Sequence, residues 1–555
     1  MSDQKKRVKE LLKRTETLEG NKQNFLTLFQ DIADLFRPVK SDIISKKTAG
    51  DKENLKRLFD SFPILAVETF ASILLGVLTN KSTKWFNLQT VDEKLAEVNV
   101  VSEWLSQTTE VMWNKMYNPA SRFEQALLES FKDIGAFGTI ATLIEEGQNF
   151  DLVYITQNIN NYLIAENSEG KVDSIIIKTQ FTAQQAIEKF GEEVNEQIKK
   201  IVEKNPYEVF DFELHIYPRT NRDKTKIDVL NKAYAGCWID VKYEDIVQEI
   251  GWDSFPVAVG RSEKSTNELY GTSRAMIALA DARELNAIQR RYAESIELRL
   301  RPPLIQNADF ASRLNLSPGA VNKATQNASY AGRSAIEPIN SVGDINGTLE
   351  LVQEKKQAIR EIFFLDKMKI FDNPNATATQ VLELRAEGFR IMSSVATSIQ
   401  EYLDAILDRT FDILFRKSYA INDIEGGRSS YTLLPNAVFP EMPEELKAAP
   451  DLKVVFINPI NQSQQTTELN GIDVLLQTVG AIAQMNPDVM DVVNFDNVLR
   501  KKRSILNIDP ELINDEDTVA AIRQQRQAQQ QQQQALMNQE ADSVAAKNYS
   551  QAETI

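Results

Sequence analysis

Cysteine and histidine are almost missing. Among 555 residues there is one of each, Cys237 and His215. A lone cysteine cannot form an intrachain disulfide, and one Cys with one His cannot assemble a Cys/His zinc site within the chain. A catalytic triad with a histidine base would have to use His215. The sequence also lacks a Walker A loop, GxGxxG, HExxH, GxSxG and an EF-hand loop, the short motifs behind phosphate, dinucleotide, zinc, hydrolase and calcium chemistry. Acidic pairs such as Glu192-Glu193 and Glu444-Glu445 read as solvated charge rather than general acid–base pairs. The expectation is no enzyme, with no catalytic, cofactor-binding or metal residues.

Long apolar runs are scarce too. The most apolar stretch, Phe62–Leu78, is short for a membrane span and contains Pro63 and Glu68, so it reads as a buried core helix. The first twenty residues read as a charged helix rather than a signal peptide. Basic excess is absent as well: net charge is −16. That argues against a protein that coats DNA through phosphate neutralisation. It leaves room for one that surrounds DNA without gripping it.

What is present is a large, mainly helical chain with a strand-rich insert. Residues 1–40 read as helix up to Pro38; 92–118 and 121–134 as helices split at Asn118-Pro119; and Trp85–Leu88 as a short extended segment. From Gly135 to about 262 the pattern becomes β-branched, aromatic and alternating, with strands near 137–144, 150–154, 161–166, 172–181, 209–217, 226–230 and 233–241, and a helix over 182–204. His215 alternates with apolar neighbours and reads as a strand-surface residue, whereas Cys237 beside Trp238 reads as a small packed hydrophobe.

Gly271–Pro303 is then predicted as an over-long helix, capped by Thr272 or Ser273 and stopped by Pro302-Pro303. Leu285, Ile288, Tyr292 and Ile296 make one narrow stripe on it. Residues 304–345 read as a small protrusion of strands and turns, and 347–364 as a second helix, giving an antiparallel helix pair. A loop over 365–379 precedes a third long helix, 378–417, with Gly388 able to bend it. Residues 451–460 read as a strand returning to the earlier sheet, 462–506 as helix broken at Asn486-Pro487, and the Gln-rich tail from 518 as helical or disordered.

Taken in order, these segments carry a resemblance. Leu74–Leu78 with Trp85-Phe86-Asn87-Leu88, Tyr270–Ala275 through Leu285-Asn286 to Pro302-Pro303-Leu304, and Ala376-Thr377-Ala378-Thr379-Gln380-Val381 together resemble the phage portal proteins, the head-to-tail connectors of short-tailed, T7-like phages. Gln380 stands where that family usually has an acid.

The resemblance implies an α+β, mainly α portal fold: a wing over 1–264 (helical 1–134, mixed strand-rich 135–262) rejoined by a long kinked helix and strand over 379–460; stem helices over 265–301 and 346–364; a clip over 302–345; a tunnel loop over 365–378; a crown over 461–517; and a Gln-rich barrel or disordered tail over 518–555. It implies a homo-oligomeric ring, usually of twelve subunits, at one capsid vertex of the virion after assembly in the host cytoplasm. Double-stranded DNA would pass through the ring, and terminase, the major capsid protein, tail adaptors and internal core proteins would be its partners, with no membrane.

The implied sites are Lys367, Lys369, Asn373 and Asn375 in the tunnel loop; Arg283, Glu284, Arg290, Arg291, Glu294 and Glu297 as inter-subunit stem charges; and Arg313, Lys323 and Arg333 as clip contacts. A helical scaffold or adaptor without a DNA channel is the alternative class. The missing phosphate-loop and metal motifs count against a nuclease or ATPase.

Overall fold

In the computed structural model the described residues are 3–44, 56–81, 84–92, 95, 98–147, 152–223, 226, 228–300, 304–306, 336–338, 345–368, 393–424, 428–448, 452–456, 459–483, 489, 492–506 and 516–552. The chain divides into two compact units, Met1–Trp85 with Asn114–Ile413, and Phe86–Trp113 with Leu414–Ile555.

The first unit holds most of the core. Its N-terminal helix, Asp3–Phe36, gives way to a single turn, Pro38–Lys40, because a proline cannot continue the hydrogen-bond ladder. Phe62–Leu78 is the helix that its apolar run predicted, and it buries Ala66, Val67, Phe70, Ala71, Leu74 and Leu78. Among the described residues, no helix is long and apolar enough to cross a membrane. Phe70 meets Phe363 edge-on with ring centres 5.8 Å apart, and Phe29 meets both Phe137 and Tyr270 at 5.9 Å. With Phe36 6.0 Å from Phe363, these rings join helices Asp3–Phe36, Phe62–Leu78 and Phe123–Phe137 and the turn at Phe363 in one apolar mass.

A five-stranded antiparallel sheet runs Tyr162–Glu166, Val172–Thr182, Val209–Pro218, Tyr234–Asp240, Asp245–Trp252 in spatial order. The N-terminal helix covers one face: Val8 and Leu11 pack on Cys237 and Ile239, and Leu18 on Leu163 and Ile176. Phe181, Phe190, Phe212 and Trp238 pack ring against ring on the other face. A second sheet places Thr139–Glu146 between Leu152–Thr156 and Val257–Arg261. Helix Ser393–Ser418 meets it through buried hydroxyls. Tyr402 Oη lies 2.7 Å from Thr142 Oγ1 and donates to Ser130 Oγ at 2.9 Å, while Tyr154 Oη lies 2.7 Å from Thr410 Oγ1.

In the second unit, Phe86–Thr90 pairs antiparallel with Leu452–Phe456. Trp104 donates its indole N–H to the carbonyl of Pro440 at 3.0 Å. A hairpin, Tyr419–Ile424 with Arg428–Leu433, precedes helices Pro459–Ala483, Phe495–Leu506 and Glu516–Ala552. The Gln-rich tail is therefore a helix.

Several expectations need correcting. His215 is not a surface residue: it is 1% exposed beneath the N-terminal helix, with Nε2 3.0 Å from Glu213 Oε2. Alternation selects a face of a strand but not what covers that face. The described part of 226–230 is no strand; Val229–Asn231 is a tight turn capped by Asp228. The helix over 182–204 is two, Ala183–Phe190 and Glu196–Val202, parted at Gly191 with φ +60°. The strand near 452 does not return to the earlier sheet but finds Phe86–Thr90. The predicted helix 378–417 is described only from Ser393.

Candidate functional site

The segment singled out by its length, Arg274–Leu300, forms one uninterrupted helix. Ser273 caps it, accepting the Met276 N–H at 2.9 Å, while its own hydroxyl donates to the Ala136 carbonyl at 2.6 Å. The cap thus fixes the helix to the end of helix Phe123–Phe137 as well as satisfying its first turn.

Burial along this helix differs from the expected stripe. Ala275, Ala278, Leu279, Ala282 and Leu285 are the buried positions, all in the first half. Ile288, Tyr292 and Ile296 are only half-buried, and Leu298 and Leu300 are exposed. Small alanines let the first half pack closely, which a search for large apolar residues passes over.

Helix Ile345–Ile362 runs antiparallel beside it. The Arg274 guanidinium lies 4.8 Å from the Phe364 ring centre at one end, and Lys355 meets Glu284 at 2.7 Å and Asp281 at 3.1 Å in the middle. At the far end Leu304–Gln306 pairs with Ile336–Pro338, closing the base of the excursion between the helices. Hydrogen bonds to Glu284 and Asp281 hold the Lys355 ammonium above the ordinary lysine value.

A third segment clamps the pair. Phe59 donates its N–H to Asn286 Oδ1 at 2.7 Å, Gln289 donates to Asp60 Oδ2 at 2.9 Å, and Lys356 meets Asp60 at 2.8 Å. None of Asp60, Asn286, Gln289, Lys355 and Lys356 was visible as a site in the sequence, because each is defined by a partner far along the chain.

Of the six predicted stem charges, four have partners on other elements or turns of the same chain. Arg283 pairs with Asp31, Glu284 with Lys355, and Arg290 with Glu294 at 2.9 Å one turn on. Arg291 and Glu297 are exposed and have no ion-pair partner among the described residues. In the predicted tunnel loop, Leu365–Met368 forms one helical turn, and Asp366 accepts from Gln357 at 3.0 Å. The Lys367 side chain, Lys369, Asn373 and Asn375 lie outside the described residues, as do Arg313, Lys323 and Arg333. Among the described residues no three His, Cys, Asp or Glu side chains converge as a metal site.

Among the described residues, the segment forms a long antiparallel helix pair, clamped at its middle and leading to a small two-stranded base. The family model for the bacteriophage head to tail connecting protein matches residues 8–419 and 430–513. The chain belongs to that family. Among its connector relatives, the portal protein of Salmonella phage epsilon15 is 25% identical over 98% of this chain and 95% of its own length. The probable portal protein of Bordetella phage BPP-1 is 28% identical over 98% of this chain and 96% of its own. A solved chain from the neck of an empty gene transfer agent particle aligns at 12% identity over 67% of this chain and 87% of that one, with a TM-score of 0.34.

Proposed function

We propose that this connector chain is a portal protein: copies close into a ring at one vertex of a phage capsid, and double-stranded DNA passes through the ring during packaging and ejection. The observation that carries the reading is the alignment of two portal proteins over 98% of the chain. The buried half of helix Arg274–Leu300 would anchor it to its own subunit, leaving the exposed charged half for neighbours.

On this reading 1–264 with 379–460 is the wing, 265–301 and 346–364 the stem, 302–345 the clip, 365–378 the tunnel loop, 461–517 the crown and 518–555 the barrel. Terminase and then tail adaptors would dock on the clip through Arg313, Lys323 and Arg333, the capsid protein and internal core proteins would meet the ring elsewhere, and twelve subunits is the expected number. Lys367, Lys369, Asn373 and Asn375 would face the DNA.

Negative-stain images of the purified chain test the ring: particles with a central hole support it, and elongated dimers or monomers defeat it. Packaging by a Lys367→Ala/Lys369→Ala variant tests the loop; unchanged packaging and DNA retention would remove those lysines from the mechanism.

A further inference from the structure

The first three turns of the N-terminal helix carry a charge unlike that of the chain. Residues 3–14 carry six Lys and Arg against two Asp and Glu, in a protein of net charge −16. Two of the six are occupied: Arg7 meets Glu249 at 2.5 Å and Tyr217 Oη at 3.0 Å, and Arg14 stacks 5.9 Å from the Tyr217 ring centre. The other four, Lys5, Lys6, Lys9 and Lys13, are exposed and have no ion-pair partner among the described residues. At 3.6 residues per turn they share about 100° of arc, with a rise of about 12 Å from Lys5 to Lys13. Val8, Leu11 and Leu18 point the other way, into the sheet.

Lys5 and Lys6 also sit in the first turn, where the helix dipole already presents positive charge, an arrangement that disfavours the free helix. An anionic partner reverses that sign.

We propose that this lysine face binds the phosphate backbone of duplex DNA, at a place separate from the loop 365–378. Three features select that partner. A basic helix lies on a membrane by inserting its apolar side, and here that side is spent on Cys237, Ile239, Leu163 and Ile176. An acidic protein surface needs apolar or aromatic anchors at the contact centre, and the face of Lys5, Lys6, Lys9 and Lys13 has none. The same lack of aromatics leaves nothing for unpaired bases to stack on. A duplex presents about one charge per 1.7 Å of its axis, so a rigid line of lysines meets phosphates in any register.

The test measures binding of a short DNA duplex to the full-length protein across a salt series. In the Lys5→Gln/Lys6→Gln/Lys9→Gln/Lys13→Gln variant, the slope of log affinity against log salt should become shallower by about 3 to 4, close to one per lysine removed. The four-fold Lys→Arg variant should keep the wild-type slope, and far-UV circular dichroism should be unchanged in both. Absence of duplex binding by the wild type, or an unaltered slope in the glutamine variant, overturns the proposal. So does a wild type that binds anionic phospholipid vesicles but not duplex. The reading does not depend on ring closure, since the slope is expected of an unassembled chain as well.

Discussion

The carbonyl oxygen of Gly271 stands 2.4 Å from where a β-carbon on Gly138 would lie, and a β-carbon on Gly271 would come within 2.5 Å of the Gly138 oxygen. Two backbones cross here with no room for side chains. The crossing is tied by Ser262 N–H to Gly138 O at 2.8 Å and by Gly271 N–H to Thr139 Oγ1 at 2.9 Å. It joins the end of one core helix, the start of a strand and the lead-in to the Arg274 helix.

Gly271→Ala should therefore destabilise the fold by roughly 1–3 kcal/mol through forced backbone shifts. Gly138→Ala should cost more, since φ there is +73°, where an alanine is strained as well as crowded. Gly20, inside the N-terminal helix with nothing within 4 Å of an added β-carbon, is the control. Its alanine variant should gain about 0.5–1 kcal/mol from helix propensity. Thermal melting decides, and equal losses at Gly20 and Gly271 would sink the argument.

A pH-dependent prediction follows from Lys22. Its ammonium is buried under the Tyr162 and Tyr270 rings and donates to the carbonyls of Ile159 and, at 2.8 Å, Tyr162. Burial, with Lys178 nearby and Glu19 opposing, brings its pKa down to about 7. The folded value lies below the unfolded one of about 10.4, so between these values the unfolded chain binds the extra proton and stability rises with pH. In Lys22→Met that rise should shrink. Urea midpoints for wild type and variant at about pH 7 and pH 9.5 check it; curves that stay parallel would show that Lys22 titrates normally.

The buried ion cluster at the end of the N-terminal helix gives a contrast in magnitude. Asp133, 2% exposed, meets Lys40 at 2.6 Å and Arg37 at 3.3 Å, whereas Glu129 meets the same two cations at 38% exposure. Removing Asp133 leaves two largely buried cations short of a partner, which should cost about 3–5 kcal/mol. Glu129→Ala should cost no more than about 1 kcal/mol. Chemical denaturation of the two variants separates the cases, and similar losses would contradict the burial argument.

Local pattern carried part of this structure. Phe62–Leu78 was legible to the residue because its apolar run is bounded by Pro63 and Thr79. A cap at Thr272 or Ser273 was legible because hydroxyls precede a long run without Gly or Pro, and the structure uses Ser273. The strands Asp245–Trp252 and Val257–Arg261 and the hairpin at Tyr419–Leu433 went unread, since their partners supply a regularity that their own residues do not. His215 was misread for the same reason: only the packing of Val8 and Leu11 on this face reveals that it is covered. For the candidate site, the helices were legible and the clamp was not, because Asp60, Gln289 and Lys356 acquire their roles across more than two hundred residues of chain.

The last prediction separates charges that hold the helix pair together from charges free to reach another subunit. Arg283 already has Asp31 and Glu284 already has Lys355, whereas Arg291 and Glu297 have no ion-pair partner among the described residues. Arg283→Ala should lower the chain's own stability by at most about 1 kcal/mol, as expected for a solvent-exposed pair, and leave assembly mass unchanged. Arg291→Ala/Glu297→Ala should do the reverse: a stability within about 0.5 kcal/mol of wild type, because surface changes without partners cost little, and smaller assemblies. Sedimentation at low and high salt measures assembly. The difference from wild type should shrink at high salt if the neighbouring contacts are charged, because screening weakens those contacts in the wild type too. Intact rings in the double alanine variant would assign these two residues to solvent, and disassembly by Arg283→Ala would move the interface to the Asp31 side of the helix.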